Sequence, residues 1–162
     1  MKNLKEVAII CMQELDKIGI PYREVEDFII NTRAKSRWGQ CKTLPNGKFL
    51  ISISNRLLED DADIMGLKNT IIHELIHTCK GCMNHKSEWK MYAQKINNAY
   101  GYNIKRTSSA EDKGVRAIEK IRVINHKYVC EGCGQVVTRE RNRGFEKRYS
   151  CGVCGKHFIK IF

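Results

Sequence analysis

The feature that most constrains how this chain can fold is the sequence IIHELIH at residues 71–77. On an α-helix, residues four apart lie on the same face, so His73 and His77 can direct two imidazole rings at one metal ion. Glu74, next to the first histidine, can take a proton from a water molecule bound at the open position of that metal. This spacing is the H-E-x-x-H pattern of hydrolytic zinc sites.

The residues around this motif indicate a buried helix. Apolar residues cover most of its circumference in two rows, which are Ile64, Leu67, Ile71 and Leu75, and Ile72 and Ile76. Two histidines and a glutamate are costly in such surroundings unless a partner compensates them, and a metal ion does so. The alternative is a pair of hydrogen-bonded core histidines. The acidic residues at 59–63 favour a helix that opens there and extends over 63–79.

His85 is the predicted third metal ligand. A metzincin would require glycine at position 80 and histidine at position 83, and this chain has Lys80 and Met83 instead. His85 follows a short connection that contains Gly81, and it precedes a second predicted helix over about 86–99. A ligand at the start of that helix would complete a set of three protein ligands and a water molecule. The alternative is an exposed loop histidine.

Cys79 and Cys82 lie between the second and third histidines. Hydrolytic zinc sites use histidine and carboxylate ligands in preference to thiolates, so we interpret this pair as structural cysteines that brace the loop. The alternative is that one of the two sulfur atoms occupies the fourth coordination position. The first metal site would then be structural, with no room for a water molecule.

The rest of the first domain combines a helix with short strands, which predicts an α+β fold of helices and a short antiparallel sheet. Residues 4–18 show helical apolar spacing, with Asn3 as the cap. Residues 28–30 and 50–54 have strand character, and the Asn-Gly pair at 46–47 marks a turn, so we predict a hairpin. An extended peptide substrate could pair with such a strand, although an ordinary sheet explains the pattern equally well.

Two C-x-x-C pairs near the C-terminus predict a second metal site. The four cysteines are Cys130, Cys133, Cys151 and Cys154. Their spacing indicates a structural zinc held by four thiolates. A segment this short cannot bury enough surface to fold unaided, so the metal must supply folding free energy. Disulfides are the alternative, and a cytosolic location disfavours them.

The charge of the chain predicts a polyanionic partner. It carries 29 lysines and arginines against 18 aspartates and glutamates, for a formal net charge of +11, and nucleic acid is the commonest partner of such proteins. Between the cysteine pairs, alternating arginines with Phe145 and Tyr149 indicate a strand pair with a basic face and two stacking rings. The predicted nucleic-acid-binding residues are Arg139, Arg141, Arg143, Lys147, Arg148 and Tyr149. A ribbon that only braces the catalytic domain is the alternative.

The length of 162 residues suits one medium domain and a small appendage. We predict a catalytic domain over 1–104, a basic linker or surface helix over 105–125, and a four-cysteine zinc ribbon over 126–162. No apolar run is long enough to span a membrane, and the N-terminus lacks the apolar core of a signal peptide. We therefore expect a cytoplasmic monomer with no membrane partner, associated with the nucleoid if it is bacterial.

These motifs resemble those of the SprT/Spartan family of zinc metalloproteases. The matching segments are Arg37-Trp38-Gly39-Gln40-Cys41, His73-Glu74-Leu75-Ile76-His77, His85 with Glu88-Trp89-Lys90, and Tyr128-Val129-Cys130 at the start of the ribbon. Together these segments cover most of residues 36–162. Their order along the chain is more specific for the family than any single segment is. A related group of short H-E-x-x-H proteins shares the Trp-Gly-x-Cys segment, and the four-cysteine ribbon favours the SprT side.

The resemblance implies a small zincin-like domain followed by a zinc ribbon. It implies one catalytic zinc held by His73, His77 and His85, with Glu74 as the general base, and one structural zinc in the ribbon. It also implies DNA-stimulated cleavage of proteins bound or crosslinked to DNA, and single-stranded or irregular DNA is the expected partner. The rival hypothesis is a non-catalytic nucleic-acid-binding zinc protein whose H-E-x-x-H site is structural. A non-proteolytic zinc hydrolase is a third alternative.

Overall fold

A computed structural model describes residues 1–34, 36–115 and 123–162 of the chain. The chain divides into two compact units, Met1–Ala117 and Ile118–Phe162. Helices and strands are both present, which confirms the predicted α+β class. None of the helices within the described ranges has the length and apolar character that a membrane crossing requires.

The first unit packs helices around one small sheet. Its described α-helices are α1 (Leu4–Lys17), α2 (Ile64–Thr78) and α3 (Ser87–Tyr100). Its strands are β1 (Val25–Asn31), β2 (Gly39–Thr43) and β3 (Phe49–Ser54). Two short 3₁₀ helices follow β3 and α3, at Asn55–Leu57 and Glu111–Lys113.

Capping residues set the starts of α1 and α2. The side-chain oxygen of Asn3 accepts hydrogen bonds from the backbone N–H groups of Lys5 and Glu6, at 3.1 and 3.4 Å. Asp63 accepts one from the N–H of Met65 at 2.9 Å. Helix α2 then contributes fully buried side chains to the core, which are Leu67, Ile71, Ile72, Leu75 and Ile76. Helix α1 therefore begins at the predicted cap, and α2 begins within one residue of the start that the acidic cluster predicts.

The sheet of the first unit has the strand order β1-β3-β2. Strand β2 pairs antiparallel with β3, from Gly39 opposite Ile53 to Thr43 opposite Phe49. A hairpin thus forms around the predicted Asn-Gly turn, but its first strand is Gly39–Thr43 and not residues 28–30. Strand β1 pairs parallel with β3 on the other side. The sheet is thus mixed rather than purely antiparallel, because the apolar pattern of a strand does not encode its direction relative to a neighbour.

The segment after α3 packs on the first unit instead of starting a linker at residue 105. Ile104 is buried, and the indole N–H of Trp38 donates to the carbonyl oxygen of Ser108 at 3.3 Å. The backbone of Lys113 also packs directly on α2 at Gly66. An added Cβ on Gly66 would collide with that backbone, so the glycine is what permits the close packing. The part of the predicted surface helix at 116–122 lies outside the described residues.

The second unit is a three-stranded sheet with the order β5-β4-β6. Its elements are β4 (His126–Cys130), β5 (Val136–Arg139), the one-turn helix α4 (Phe145–Arg148) and β6 (Phe158–Lys160). Strand β4 pairs antiparallel with both neighbours. A small core of Tyr128, Phe145 and Phe158 lies beside two of the cysteines.

The predicted strand pair with two stacking rings does not form between the cysteine pairs. Strand β5 ends at Arg139, and the chain then turns through Arg143, whose φ is 44°, into α4. Phe145 is only 7% exposed, and its ring centroid lies 4.8 Å from that of Tyr128. A unit this small has few apolar side chains, so its core includes this ring. Of the two predicted rings, only Tyr149, at 58% exposure, is accessible.

Candidate metal centres and active site

His73, His77 and His85 converge on one point of the first unit. Each offers one ring nitrogen, and these three atoms lie within 4.8 Å of one another. The Nε2 atoms of His73 and His85 are 3.0 Å apart. His73 and His77 lie on successive turns of α2, and His85 lies in the loop that leads into α3. The structure thus brings the three predicted ligands together.

Backbone carbonyl groups orient two of these rings. Nδ1 of His73 lies 3.0 Å from the carbonyl oxygen of Lys105, and Nδ1 of His77 lies 2.7 Å from that of Cys82. Because a carbonyl oxygen only accepts, each Nδ1 carries the proton and donates it, which leaves Nε2 free to act as a ligand. Burial lowers the pKa of all three histidines, that of His73 to about 3. The rings are therefore neutral at neutral pH, the form that binds a metal.

This donor set fits zinc. Three neutral imidazoles, two of them held by carbonyl groups through Nδ1, are a typical ligand set of a catalytic zinc. Neither Cys79 nor Cys82 joins the histidine cluster among the residues that the structure describes. Both cysteines are buried, and burial raises the pKa of both thiols, that of Cys79 to about 12. Their thiols are therefore protonated at neutral pH and pack in the core, which is consistent with structural cysteines.

Trp89 forms part of the apolar surroundings of the histidine cluster. Its ring centroid lies 4.8 Å from that of His73, 5.9 Å from that of His77 and 4.7 Å from that of His85. The side chain is buried in the core, where the helical pattern of α3 places it. Such packing restricts the orientations that the three rings can adopt.

Glu74 lies beside the histidines, with its carboxylate against β2. It is 7% exposed, and the backbone N–H of Cys41 donates to its carboxylate. The approach to Gly39 is so close that an added Cβ on that residue would lie 2.6 Å from Oε1 of Glu74. Burial raises the pKa of Glu74 to about 7, against the opposing effects of the Cys41 N–H and of the positive charges of Lys113 and Arg37. A carboxyl group that titrates near neutral pH can both accept and release a proton.

A cavity of about 300 Å³ opens beside Glu74, and we call it the Glu74 cavity. Three stretches of the chain form its walls: the residues that lead into β2, one face of α2, and the segment after α3. Thr70, His73 and Glu74 contribute from α2, and Lys113 contributes from the 3₁₀ helix. The carboxylate is therefore accessible from a pocket large enough for an amino-acid side chain.

Sequence reasoning missed Gly39, Cys41 and Lys113 as parts of the site. The first two lie in the Trp-Gly-x-Cys segment, and their role depends on a contact with a distant helix that spacing alone does not show. A glycine in a strand often marks the close approach of another group, and this signal was present. Lys113 lay in the predicted linker, where its only signals were Gly114 and the small Gly66 inside α2.

The four cysteines of the second unit form the other cluster. Their sulfur atoms all lie within 4.8 Å of one another, with 3.3 Å between Cys130 and Cys154 and 3.5 Å between Cys133 and Cys151. Sulfur atoms at ~2.3 Å from a tetrahedral zinc would be about 3.8 Å apart, so the set fits this metal. Hydrogen bonds from the backbone N–H groups of Cys133 and Gly132 lower the pKa of Cys130 to about 6, which favours the thiolate.

All six predicted nucleic-acid-binding residues are exposed on the second unit: Arg139, Arg141, Arg143, Lys147, Arg148 and Tyr149. The guanidinium of Arg139 lies 4.6 Å from the ring centroid of Phe145. The rings of Phe145 and Tyr149 stack with their centroids 5.1 Å apart. The buried Phe145 thus supports both an arginine and the exposed tyrosine.

Comparison with known protein families identifies a match over most of the first unit. The model of the SprT-like family matches residues 11–108, a span that contains the histidine cluster, Glu74 and β2. This family is associated with zinc metallopeptidase-type domains. Lys113 and the ribbon lie outside the matched span. Comparison with the curated proteins gave no match.

Proposed function

The chain belongs to the SprT-like family, and on this basis we propose that it is a zinc metallopeptidase that cleaves proteins bound or crosslinked to DNA. The observation that carries the proposal is the buried Glu74 carboxylate beside three convergent histidines, at the wall of an open cavity. A general base next to a set of three neutral ligands is the arrangement that hydrolysis requires.

The residues of the site have separate tasks in this proposal. His73, His77 and His85 would hold zinc, which when bound polarises a scissile carbonyl and acidifies water. Glu74 takes the proton of the attacking water and passes it to the nitrogen of the leaving amine. The N–H of Cys41 holds the carboxylate of Glu74 in position for both transfers.

Strand β2 offers a place for an extended substrate. It lies at an edge of the sheet, since β3 pairs with one of its sides and no described strand pairs with the other. The N–H of Cys41 points to the free side, because it donates to Glu74. By the alternation of an antiparallel strand, Gly39 and Thr43 face the same way. A peptide added along this edge would pass Glu74 and would be held by main-chain hydrogen bonds with little dependence on its sequence.

The charge of the chain and the exposed residues of the ribbon support DNA as the partner. The formal net charge is +11, and five exposed arginine and lysine side chains accompany Tyr149 on the second unit. An exposed ring among cations suits single-stranded or irregular DNA, whose unpaired bases can stack on it. Selectivity would then come from DNA, which brings the substrate protein near the peptidase.

The test is cleavage of a DNA-binding protein by the wild type and by Glu74→Gln, with and without single-stranded DNA. We expect cleavage by the wild type alone, faster when DNA is present, while both proteins hold the same amount of zinc. Equal cleavage by the two proteins would overturn the peptidase assignment. An equal rate of cleavage with and without DNA would refute the proposed dependence on DNA, and the chain would then be a zinc metallopeptidase that DNA does not stimulate.

The rival function is a non-catalytic zinc protein, and it requires a fourth protein ligand at the histidine cluster. Within the described parts of the chain, that cluster contains three histidines and no cysteine or carboxylate. This observation favours an open position. Removal of zinc from this site should stop cleavage while the first unit stays folded, as circular dichroism would show. Unfolding of the first unit at the same chelator concentration would support the rival instead.

A further inference from the structure

We propose that the Glu74 cavity is a subsite for a carboxylate side chain of the substrate polypeptide, an aspartate or glutamate next to the scissile bond, which Lys113 binds. The inference rests on the proposed peptidase function and adds a substrate preference to it. Its basis is a buried lysine that shares a cavity with the general base and forms no salt bridge with any residue that the structure describes.

The structure fixes Lys113 firmly in the wall of this cavity. The backbone of Lys113 contacts α2 at Gly66, where any side chain would collide with it. The next residue, Gly114, has φ of +59°, and an added Cβ there would lie 2.5 Å from Cβ of Asp63, the cap of α2. Two glycines, one on each element, thus allow the 3₁₀ helix to lie directly on α2. Lys113 is preorganised for binding, since its backbone has little freedom.

Lys113 is buried, and the acidic groups whose charges act on it are Asp112 and Glu74. It is 5% exposed, and within residues 1–34, 36–115 and 123–162 no carboxylate forms a salt bridge with it. Its neighbour Asp112 instead accepts a hydrogen bond from the N–H of Ser109 at 2.8 Å and pairs with Lys105 at 3.3 Å. Burial lowers the pKa of Lys113 to about 8, so the ammonium still predominates at neutral pH. Neither Asp112 nor Glu74 forms a salt bridge with Lys113, so its buried charge is only partly compensated, and an anionic ligand would complete the compensation.

The other charges of the cavity have the same sign. Arg37 and Arg106 line its exposed rim, and the structure records no salt bridge for either among the described residues. Glu74 is the only acidic residue in the described lining. Three cations against one carboxylate favour an anionic side chain and disfavour a lysine or arginine at this position of the substrate.

The position of the cavity favours a peptide over a DNA phosphate as the source of the anion. Gly39, the first residue of β2, lines the cavity, so a peptide along the free edge of β2 would pass its entrance. A carboxylate on a flexible side chain can extend inward to Lys113. A phosphate within the nucleic-acid backbone carries a sugar on each side, so it fits a pocket of about 300 Å³ less well than a single side chain does.

The experiment compares capped peptides that differ only in glutamate against glutamine, or aspartate against asparagine, on either side of one cleavable bond. For the wild type we expect kcat/KM to be roughly tenfold higher for the acidic peptide, mainly through KM, as one charged hydrogen bond would give. Lys113→Met, which retains the buried stem, should reduce this ratio to about one. Arg37→Gln, at the exposed rim, should reduce it in part. Lys95→Met, on the exposed side of α3, should keep the wild-type ratio.

A binding measurement separates this inference from the proposed function. Calorimetric titration of the zinc-loaded Glu74→Gln variant with the same peptides should show the acidic preference. The double variant that carries both Glu74→Gln and Lys113→Met should bind acidic and neutral peptides equally. If the wild type does not cleave, the peptidase proposal fails, and the titration still decides the inference. Equal affinity for acidic and neutral peptides would overturn the inference. A preference for the acidic peptide that persists in Lys113→Met would also overturn it. Displacement of the acidic peptide by an oligothymidylate only when Lys113 is present would overturn it too, because the anion bound by Lys113 would then be a DNA phosphate.

Discussion

Enlargement of Gly39 should separate catalysis from folding and from metal binding. A Cβ on this residue would lie 2.6 Å from Oε1, 2.8 Å from Cγ and 3.0 Å from Cδ of Glu74. The φ of Gly39 lies outside the left-handed region, so its backbone accepts alanine without strain. The closest clashes of Gly39→Ala are therefore with the side chain of the general base.

The geometry gives the size of the effect. Ordinary contact begins at 3.4 Å, so the carboxylate oxygen of Glu74 must retreat by about 0.8 Å. A displacement near 1 Å of a catalytic group costs on the order of 100-fold in rate. Overpacking costs about 1–3 kcal/mol of stability, which a folded domain tolerates. We expect kcat to fall by about 100-fold in Gly39→Ala, with an unchanged zinc content, because the three atoms nearest to the new methyl group all belong to Glu74 and none to a histidine.

The assay is cleavage of an unfolded protein substrate in the presence of single-stranded DNA, with zinc measured by atomic emission and stability by urea unfolding. Gly152→Ala is the matched control, since an added Cβ there meets no atom within 4 Å. It should cleave at the wild-type rate. If Gly39→Ala cleaves within about twofold of the wild type while it remains folded, the close approach of β2 does not position Glu74.

Three further predictions concern the metal sites, the 3₁₀ helix and the ribbon. His85→Ala should lose the zinc of the first unit and all cleavage, whereas Cys133→Ser should lose only the zinc of the ribbon; an unchanged zinc content in His85→Ala would exclude His85 as a ligand. Gly66→Ala should destabilise the first unit by about 1–3 kcal/mol in urea unfolding, because the new methyl group meets the backbone of Lys113; a gain in stability, as helix propensity alone would give, would contradict this contact. Tyr149→Ala should weaken binding of single-stranded DNA by about 1–3 kcal/mol in fluorescence anisotropy, and Tyr149→Phe should not; equal losses would show that the ring does not stack on bases.

The sequence predicts those parts of the molecule that depend on local spacing. Helix α2 and the convergence of two histidines follow from the 3.6-residue period of a helix, and the acidic residues before α2 indicate where it begins. The turn of the hairpin and its second strand follow from the Asn-Gly pair and the alternation of β3. The C-x-x-C pairs likewise bring four sulfur atoms together, because short cysteine spacing and a metal leave few other geometries.

The parts that the sequence does not predict depend on contacts between distant residues. The parallel pairing of β1 depends on how the chain crosses from β1 to β2. The burial of Lys113 depends on the docking of a polar segment against Gly66, and a polar segment with little apolar content is typical of a linker. Phe145 lies among arginines in the sequence, and only the small size of the ribbon core explains why its ring turns inward.

The two halves of the active site differ in how far apart their parts lie along the chain. The three histidines fall within residues 73–85, one helix and the loop after it, and contacts of such short range form early in folding. The surroundings of Glu74 combine Gly39 with Lys113 and require the docked sheet and 3₁₀ helix. We therefore expect an incompletely folded chain to chelate zinc before it is able to hydrolyse a peptide bond. Proteolytic competence would arrive last, when the long-range contacts are made.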